Sequence, residues 1–439
     1  MKNILSENIN ISFNSRETGI NNNVFFCGSS NNRTSFLESN IFQMNGSYIV
    51  SDYKGILYKD TQSVMRKNGY DVKFLDFKDF NKQSNHYNPF TYFNSDNDIF
   101  IYVEQLFNGI PQTSTDYINN AERAFTRFLF MYVFHIGVED GNGVLQHNMA
   151  AVIQLLFEGI HDMADWGYSI DSKLNERMKA LKKLNERMKA LEKKEPKNNL
   201  VKIYYTIIHS CSNEMIMSIL NRLILFVCSD MGKFVLEDDL DITSTCTKKT
   251  IIYVIYDEAL LDFLDSKNEK GILFINQFFL QIVRYIFDVV DSVYDGRSPI
   301  NITFMIDKLD IFPLPNDFIY FLSVMKSRNI NMFLCVESLA EFEGNFDMFN
   351  GLSDSFVCTD LHDSITSEKI KLIISEYKNF LYRFYIKKIA GIYIDKKVTL
   401  VSKLPCIKKD ECIVIINKVG AFKDELYKLG GIENETTNC

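Results

Sequence analysis

The stretch CGSSNNRTSF, residues 27–36, has the residue types and spacing that come closest to phosphate chemistry. It follows the apolar run NNNVFF and precedes a helical pattern. A nucleotide-binding loop of the form G-x-x-x-x-G-K-[ST] occupies such a position, where backbone N–H groups, a lysine and a hydroxyl hold the phosphates and Mg²⁺. The candidate nucleotide-binding residues in this loop are Gly28, Ser29, Ser30, Asn31, Asn32, Arg33 and Thr34.

This loop departs from the phosphate-binding pattern in composition and in length. Gly28 and Thr34 match, but Asn32 replaces the second glycine, Arg33 replaces the lysine, and the loop is one residue short. Asn adopts positive φ less readily than Gly, and the planar guanidinium of Arg is a poor substitute for the Lys ammonium. The simpler interpretation is a polar turn before a helix, with Thr34 as the N-cap.

A second acidic position is needed for nucleotide hydrolysis, and the run ITFMIDKLD supplies part of it. Its apolar residues lead to Asp307, which with Thr34 is the predicted Mg²⁺ site if nucleotide binds. The next residue is Lys308, a cation that cannot act as a general base for water. Glu337 ends the following apolar run, where its charge would repel a phosphate unless it were protonated or paired. Asp307 also has a simpler interpretation as a strand-end cap.

Composition excludes several classes of protein. The chain has 439 residues, a net charge of −8 and nine scattered cysteines without a C-x-x-C pair. This pattern predicts reduced thiols in the cytoplasm, with neither zinc nor disulfides, and it argues against a uniformly basic DNA-coating protein. No run of apolar residues is long enough to cross a bilayer, and the N-terminus lacks the apolar core of a signal peptide, so we expect a soluble protein.

The order of apolar runs and helical patterns predicts an α/β fold with an insertion. Strand and helix patterns alternate up to residue 96, long helical periods fill residues 97–240, and the α/β alternation returns in residues 241–439. Short links between successive strands imply a parallel sheet, whose ligands bind at the carboxyl ends of the strands. Gly28 and Asp52 fall at such ends. The C-terminal segment is predicted to be one strand followed by an irregular tail.

A tandem duplication lies inside the helical region. KLNERMKALK occupies residues 173–182 and KLNERMKALE occupies residues 183–192. Each copy places Leu, Met and Leu on one apolar stripe and leaves a basic face exposed. Two interpretations stay open at this point, a solvated helical extension and a nucleic-acid contact.

Further motifs carry a resemblance to a known family. SYIVSDYKG at residues 47–55, HYNPF at 86–90, MIDKLD at 305–310 and MKSRNINMFLCVESLAEF at 325–342 follow one another in a characteristic order. With this order, the chain resembles the TraG class of type IV secretion coupling proteins, the ATPases that bring conjugative DNA to a secretion channel. The resemblance implies a RecA-like P-loop NTPase core carrying an all-alpha domain.

The resemblance also implies partners and additional site residues. It implies a hexamer, or another homo- or hetero-oligomer, that uses Mg-ATP and works with DNA, relaxosome proteins and secretion components. Arg328 would act across a subunit interface as an arginine finger, although a helix-terminal Arg bonding the last carbonyls explains it equally well. The family's N-terminal membrane region is not expected in this chain, so contact with the inner face of the membrane would be indirect.

The departures from the family pattern fall on the chemistry. Asn32, Arg33, Lys308 and Glu337 stand where the family has Gly, Lys, Glu and Gln. We therefore predict a degenerate coupling-protein homologue, a pseudo-ATPase that serves as adaptor or scaffold. Two alternatives stay open: an active DNA-translocating ATPase in which Arg33 and Glu337 form a compensating pair, and a nucleic-acid-binding module without nucleotide chemistry.

Overall fold

A computed structural model of the protein describes residues 2–78, 83–108, 116–161, 182–211, 213–223, 229–257, 270–309, 317–340, 351–361, 363–377, 390–395 and 397–428. The chain divides into two compact units. Unit 1 comprises Met1–Lys78, Asp241–Asp257 and Ile286–Cys439, and unit 2 comprises Asp79–Leu240 and Glu258–Tyr285. The domain boundaries after residues 96 and 240 stay a prediction.

Unit 1 contains a sheet of 10 strands. In chain order they are β3 (Val24–Cys27), β4 (Ser47–Tyr53), β5 (Asp71–Asp76), β8 (Thr250–Tyr256), β9 (Ile302–Ile306), β10 (Ile330–Val336), β11 (Ser355–Cys358), β13 (Thr399–Leu400), β14 (Glu411–Ile416) and β15 (Gly420–Glu425). Their order in the sheet is β13-β15-β14-β11-β3-β10-β9-β4-β8-β5. The strands from β11 to β5 run parallel, so their carboxyl ends share one edge.

The parallel strands are largely apolar because both faces of the sheet are covered. Every residue of β3, β4, β8, β9, β10 and β11 is buried. Such runs are typical of parallel sheets with helices on both faces. The described helices that group with unit 1 are α1 (Ser15–Thr18), α2 (Ser30–Ile41), α3 (Ile56–Lys67), α12 (Asp317–Val324) and α13 (Ser364–Tyr377).

The C-terminal segment corrects one prediction. Residues 411–425 form the hairpin of β14 and β15, where one strand and an irregular tail were predicted. Lys418 adopts a φ of 63° in the connecting turn, which lets the chain reverse. β15 escaped prediction because Asp424 is a buried carboxylate within it. Its oxygens accept hydrogen bonds from the Ser6 hydroxyl at 2.6 Å and the Asn8 backbone at 2.8 Å.

The beginning of the chain forms a small separate sheet. β1 (Lys2–Ile4) and β2 (Ile9–Ser12) pair as a hairpin, and β12 (Ile392–Ile394) adds to β2. Asn40 of α2 bonds both the N–H and the C=O of Ile4, at 2.9 and 3.0 Å. The small sheet is thereby tied to the helix that follows β3.

Unit 2 is mainly helical, apart from the short hairpin of β6 (Val138–Glu139) and β7 (Leu145–Gln146). Its described helices are α4 (Asp96–Asn108), α5 (Asp116–His135), α6 (Met149–His161), α7 (Lys182–Lys194), α8 (Asn199–Ile207), α9 (Asn213–Arg222) and α10 (Ser229–Phe234). A long helix, α11 (Lys270–Val293), begins in unit 2 and has its last residues in unit 1. Among the described residues, no helix is both long and apolar enough to span a membrane.

The second copy of the duplication forms α7, whereas residues 173–181 of the first copy lie outside the described residues. Of the predicted apolar stripe in this copy, Leu184 and Met188 are buried and Leu191 is partly buried. The hydroxyl of Tyr204 in α8 donates to the side chain of Asn185 at 2.7 Å. The opposite face of α7 exposes lysines, so the two interpretations of that face stay open.

Candidate functional site

The loop after β3 is shorter than the sequence suggested. Only Gly28 and Ser29 separate β3 from α2, and Ser29 is the N-cap residue. The interpretation of Thr34 as the N-cap is therefore wrong, because the helix begins before it and absorbs residues 30–33. The Ser29 side chain makes no capping hydrogen bond. The first N–H groups of α2 therefore lack a side-chain acceptor, and free N–H groups at a helix start attract anions.

Arg33 lies on the buried face of α2, at the helical spacing of Phe36, Leu37, Asn40 and Ile41. The ring of Phe36 stacks on Phe26 of β3 with a centroid distance of 4.6 Å, which holds this face against the sheet. Arg33 is consequently 0% exposed, although guanidinium groups are rarely buried without a partner.

The guanidinium of Arg33 finds its partners inside the protein. Nε lies 2.7 Å from Oδ1 of Asp307 at the end of β9, and Nη1 donates to the carbonyl oxygen of Gly28 at 3.0 Å. Burial lowers the pKa of Arg33 and the charge of Asp307 raises it, and the net shift is upward. Nη2 has no hydrogen-bond partner among the described residues. The predicted phosphate ligand and the predicted Mg²⁺ ligand therefore neutralise each other.

Asp307 and Lys308 form a tight turn at the carboxyl end of β9. The Lys308 N–H donates to the same Oδ1 atom of Asp307 that Arg33 contacts, at 2.9 Å. Lys308 has a φ of 55°, and its ammonium lies 4.7 Å from the ring centroid of Tyr53. Left-handed φ is costly for Lys. Lys308 therefore places a cation over the ring of Tyr53, at the position where a nucleotide hydrolase has its general base.

Glu337 completes the group at the carboxyl edge. Its Oε2 lies 3.6 Å from Nη1 of Arg33, and its side chain is 50% exposed. The structure thus brings Gly28, Arg33, Asp307 and Glu337 together, as the positions of β3, β9 and β10 in one parallel sheet require. Exposed pairs of this kind contribute little to stability, so Asp307 is the dominant partner of Arg33.

Thr359 is a residue of this edge that the sequence analysis missed. It follows β11, which pairs with β3 so that Cys358 lies opposite Cys27. Its hydroxyl accepts a hydrogen bond from Nδ2 of Asn32 at 3.1 Å, and a Cβ added to Gly28 would lie 1.9 Å from that oxygen. Position 28 therefore requires glycine, because any side chain there would collide with the hydroxyl of Thr359. In the sequence, the apolar parts of NNNVFFCG and DSFVCTD both end in a cysteine, which is followed by Gly28 in one and by Thr359 in the other. This similarity is the signal that indicates the contact.

Asp52 lies near the carboxyl end of β4, as predicted. It is buried, and its two carboxylate oxygens accept hydrogen bonds from the N–H groups of Leu57 and Tyr58 in the first turn of α3, at 3.0 and 2.7 Å. Burial raises the pKa of Asp52 to about 7, although these hydrogen bonds oppose the shift. The turn between β4 and α3 has positive φ at Lys54 and Gly55. Asp52 therefore organises the start of α3.

Arg328 lies at the opposite edge of the sheet, just before the amino end of β10. Its Nη2 is 2.6 Å from Oδ2 of Asp291, and its Nη1 donates to the carbonyl of Val324 at 3.3 Å. The guanidinium also lies 4.9 Å from the ring centroid of Phe287. A helix-terminal Arg makes contacts of this kind, and the trans-acting role of Arg328 stays a prediction.

The sequence also matches a family of known proteins. Residues 26–343 match the family described as Type IV secretory system Conjugative DNA transfer. The chain belongs to this family. The matched residues include Arg33, Asp307, Lys308 and Glu337, so the departures at these positions lie inside the conjugative DNA transfer region. No curated protein sequence matches the chain.

Solved structures resemble this member of the conjugative DNA transfer family in fold. The unbound monoclinic form of the bacterial conjugative coupling protein TrwBdeltaN70 is 11% identical, with 92% of this chain and 84% of that chain covered and a TM-score of 0.55. Plasmid coupling protein TrwB in complex with ADP and Mg²⁺ is 10% identical, with coverages of 92% and 84% and a TM-score of 0.55. These matches confirm the predicted α/β, RecA-like fold of the core.

Proposed function

We propose that this coupling-protein homologue no longer hydrolyses ATP and serves as an adaptor or scaffold in conjugative DNA transfer. The observation that carries the proposal is the buried ion pair between Arg33 and Asp307. In a working site these two positions face the phosphates and Mg²⁺. Here each satisfies the other within the protein.

The ion pair opposes nucleotide binding because both members are buried. Moving Arg33 toward a phosphate would break its bonds to Asp307 and to the carbonyl of Gly28. Leaving one member of a buried pair uncompensated costs about 3–5 kcal/mol. A nucleotide would have to supply that free energy before gaining any affinity.

The groups that would activate water are also absent from the positions where the family has them. Lys308 cannot accept a proton from water at neutral pH, and loss of a general base costs about 10²–10⁴-fold in rate. Glu337 adds negative charge beside the place of a γ-phosphate. Oδ1 of Asp307 already receives two N–H donors, which compete with a metal ion for it.

One alternative has an observation in its favour. Glu337 and Arg33 lie within 3.6 Å, as expected if they compensate each other in an active site, and Nη2 of Arg33 has no partner among the described residues. An incoming phosphate could use that nitrogen. We favour the non-hydrolysing function because the shorter, fully buried contact is the one to Asp307.

The proposal also covers the partners, the assembly and the location of the protein. We propose that it works with DNA or relaxosome proteins and with secretion components, in a homo- or hetero-oligomer that the resemblance suggests is a hexamer. We place it in the cytoplasm, at the inner face of the membrane through its partners. The support for these partners is membership of the conjugative DNA transfer family.

Steady-state phosphate release by the full chain tests the proposal. With Mg-ATP, in the presence and absence of DNA, wild-type protein is expected to release phosphate no faster than the Thr34→Ala and Asp307→Ala variants. Thr34 is only partly buried in α2, so its replacement is the variant expected to leave the fold intact. Turnover in the wild type that Thr34→Ala lowers tenfold or more would overturn the proposal in favour of the active ATPase.

A further inference from the structure

A cleft of about 510 Å³ lies at the amino ends of neighbouring strands in unit 1, and we call it the amino-edge cleft. Its lining includes Arg16 from α1, Arg297 before β9, and Lys326 and Arg328 before β10. It also includes the serines at positions 15, 323 and 327. Gly28, Asp307 and Glu337 follow the carboxyl ends of β3, β9 and β10, so this cleft is at the opposite edge of the sheet.

Two cations of the cleft, Arg297 and Lys326, are held in place by hydrogen bonds to the protein. Arg297 donates from Nη1 to the carbonyl of Ser327 at 3.1 Å and from Nη2 to the side chain of Asn329 at 3.3 Å. The ammonium of Lys326 donates to the carbonyl of Gly19 at 2.5 Å. Because these acceptors are neutral, the bonds position the charges without cancelling them.

The positively charged side chains of the cleft repel one another. Burial and the charge of Arg16 both lower the pKa of Arg297 below its usual value. Of the four cations, Arg328 is paired with a carboxylate, that of Asp291. The remaining excess of positive charge stands out in a chain with a net charge of −8. An anion in the cleft would relieve the repulsion between Arg16 and Arg297.

We infer that the amino-edge cleft binds phosphate groups of a nucleic-acid backbone through Arg16, Arg297 and Lys326. Guanidinium groups match phosphate oxygens bidentately, and an ammonium binds phosphate as a point charge. The family's role in DNA transfer favours a phosphodiester over a free anion. The inference rests on the proposed function for its DNA partner and adds the site on this chain that would bind it, and it needs neither nucleotide binding nor its absence.

Fluorescence anisotropy with a labelled single-stranded oligonucleotide, without nucleotide and over a range of NaCl concentrations, tests the inference on the full chain. The Arg16→Ala/Lys326→Ala variant is expected to bind at least tenfold more weakly. Its salt slope should fall by about 1.4, since each lost phosphate contact on a single strand removes about 0.7. Arg297→Lys keeps the charge but loses the fork, so affinity should fall while the slope changes little.

The matched control is Lys403→Ala/Lys409→Ala, which removes two exposed lysines of unit 1 outside the cleft and should change affinity less than twofold. Arg16→Glu reverses the charge of an exposed side chain, and it gives a readout even if the double variant folds poorly. Equal losses in cleft and control variants would overturn the inference. Direct binding of inorganic phosphate that the cleft variants abolish, with oligonucleotide binding unaffected by the same variants, would instead assign a small-anion site and overturn the nucleic-acid assignment.

Discussion

Replacing Arg33 with methionine is expected to lower the free energy of unfolding by about 3–5 kcal/mol. Methionine fills a similar volume on the buried face of α2 but leaves the carboxylate of Asp307 without its 2.7 Å partner. It also leaves the carbonyl of Gly28 without its donor. The midpoints of thermal and urea unfolding, followed by circular dichroism, should both fall.

The double variant Arg33→Met/Asp307→Leu separates the contribution of the ion pair to stability from the effect of losing either side chain. Removing both charges is expected to recover most of the lost stability, because buried pairs are often replaceable by apolar residues. The matched control is Arg66→Met in α3, an exposed arginine whose replacement should change stability by less than about 0.5 kcal/mol. If the stability losses of the single variants Arg33→Met and Asp307→Leu simply add in the double variant, the predicted coupling between the two side chains would be contradicted.

Replacing Gly28 with alanine is expected to destabilise unit 1 by about 1–3 kcal/mol, the usual cost of overpacking. The new Cβ would lie 1.9 Å from Oγ1 of Thr359 and 3.2 Å from the ring of Phe26. The same measurements of unfolding apply. The control is Gly351→Ala in the same unit, where a Cβ would meet nothing within 4 Å.

Thr359→Ala tests the origin of this cost. It removes the hydroxyl that clashes, so Gly28→Ala/Thr359→Ala should be more stable than Gly28→Ala alone. Thr359→Ala by itself should lose about 0.5–1.5 kcal/mol, because Asn32 loses its acceptor. A Gly28→Ala variant as stable as the Gly351→Ala control would show that the contact with Thr359 does not require glycine.

Local patterns were enough to predict the parallel core. The runs of β3, β4 and β9 are short and largely apolar, and Gly28, Asp52 and Asp307 lie at or just after their ends, which placed these residues at one edge of the sheet. The pairing of Arg33 with Asp307 could not be predicted in the same way. The two residues are 274 positions apart, and which partner a buried guanidinium takes depends on packing around it.

Non-local contacts also explain the missed elements. The strand β15 contains the charged run KDE, which an isolated pattern assigns to a tail. Asp424 is buried there because residues 6 and 8, at the other end of the chain, satisfy its carboxylate. The early start of α2 places Arg33 within the helix and on its buried face, where Asp307 is its partner. Serine and asparagine at its first positions gave no periodic signal.

Calorimetric titration with ATP, with and without Mg²⁺, tests most directly whether the Arg33–Asp307 pair takes the place of phosphate and metal. The comparison uses wild type and Thr34→Ala, which keeps the pair. We predict no Mg²⁺-dependent binding at millimolar ATP, and at most a weak, metal-independent heat from the uncapped start of α2. Micromolar, Mg²⁺-dependent binding that Thr34→Ala abolishes would contradict the account, because the loop would then still hold nucleotide.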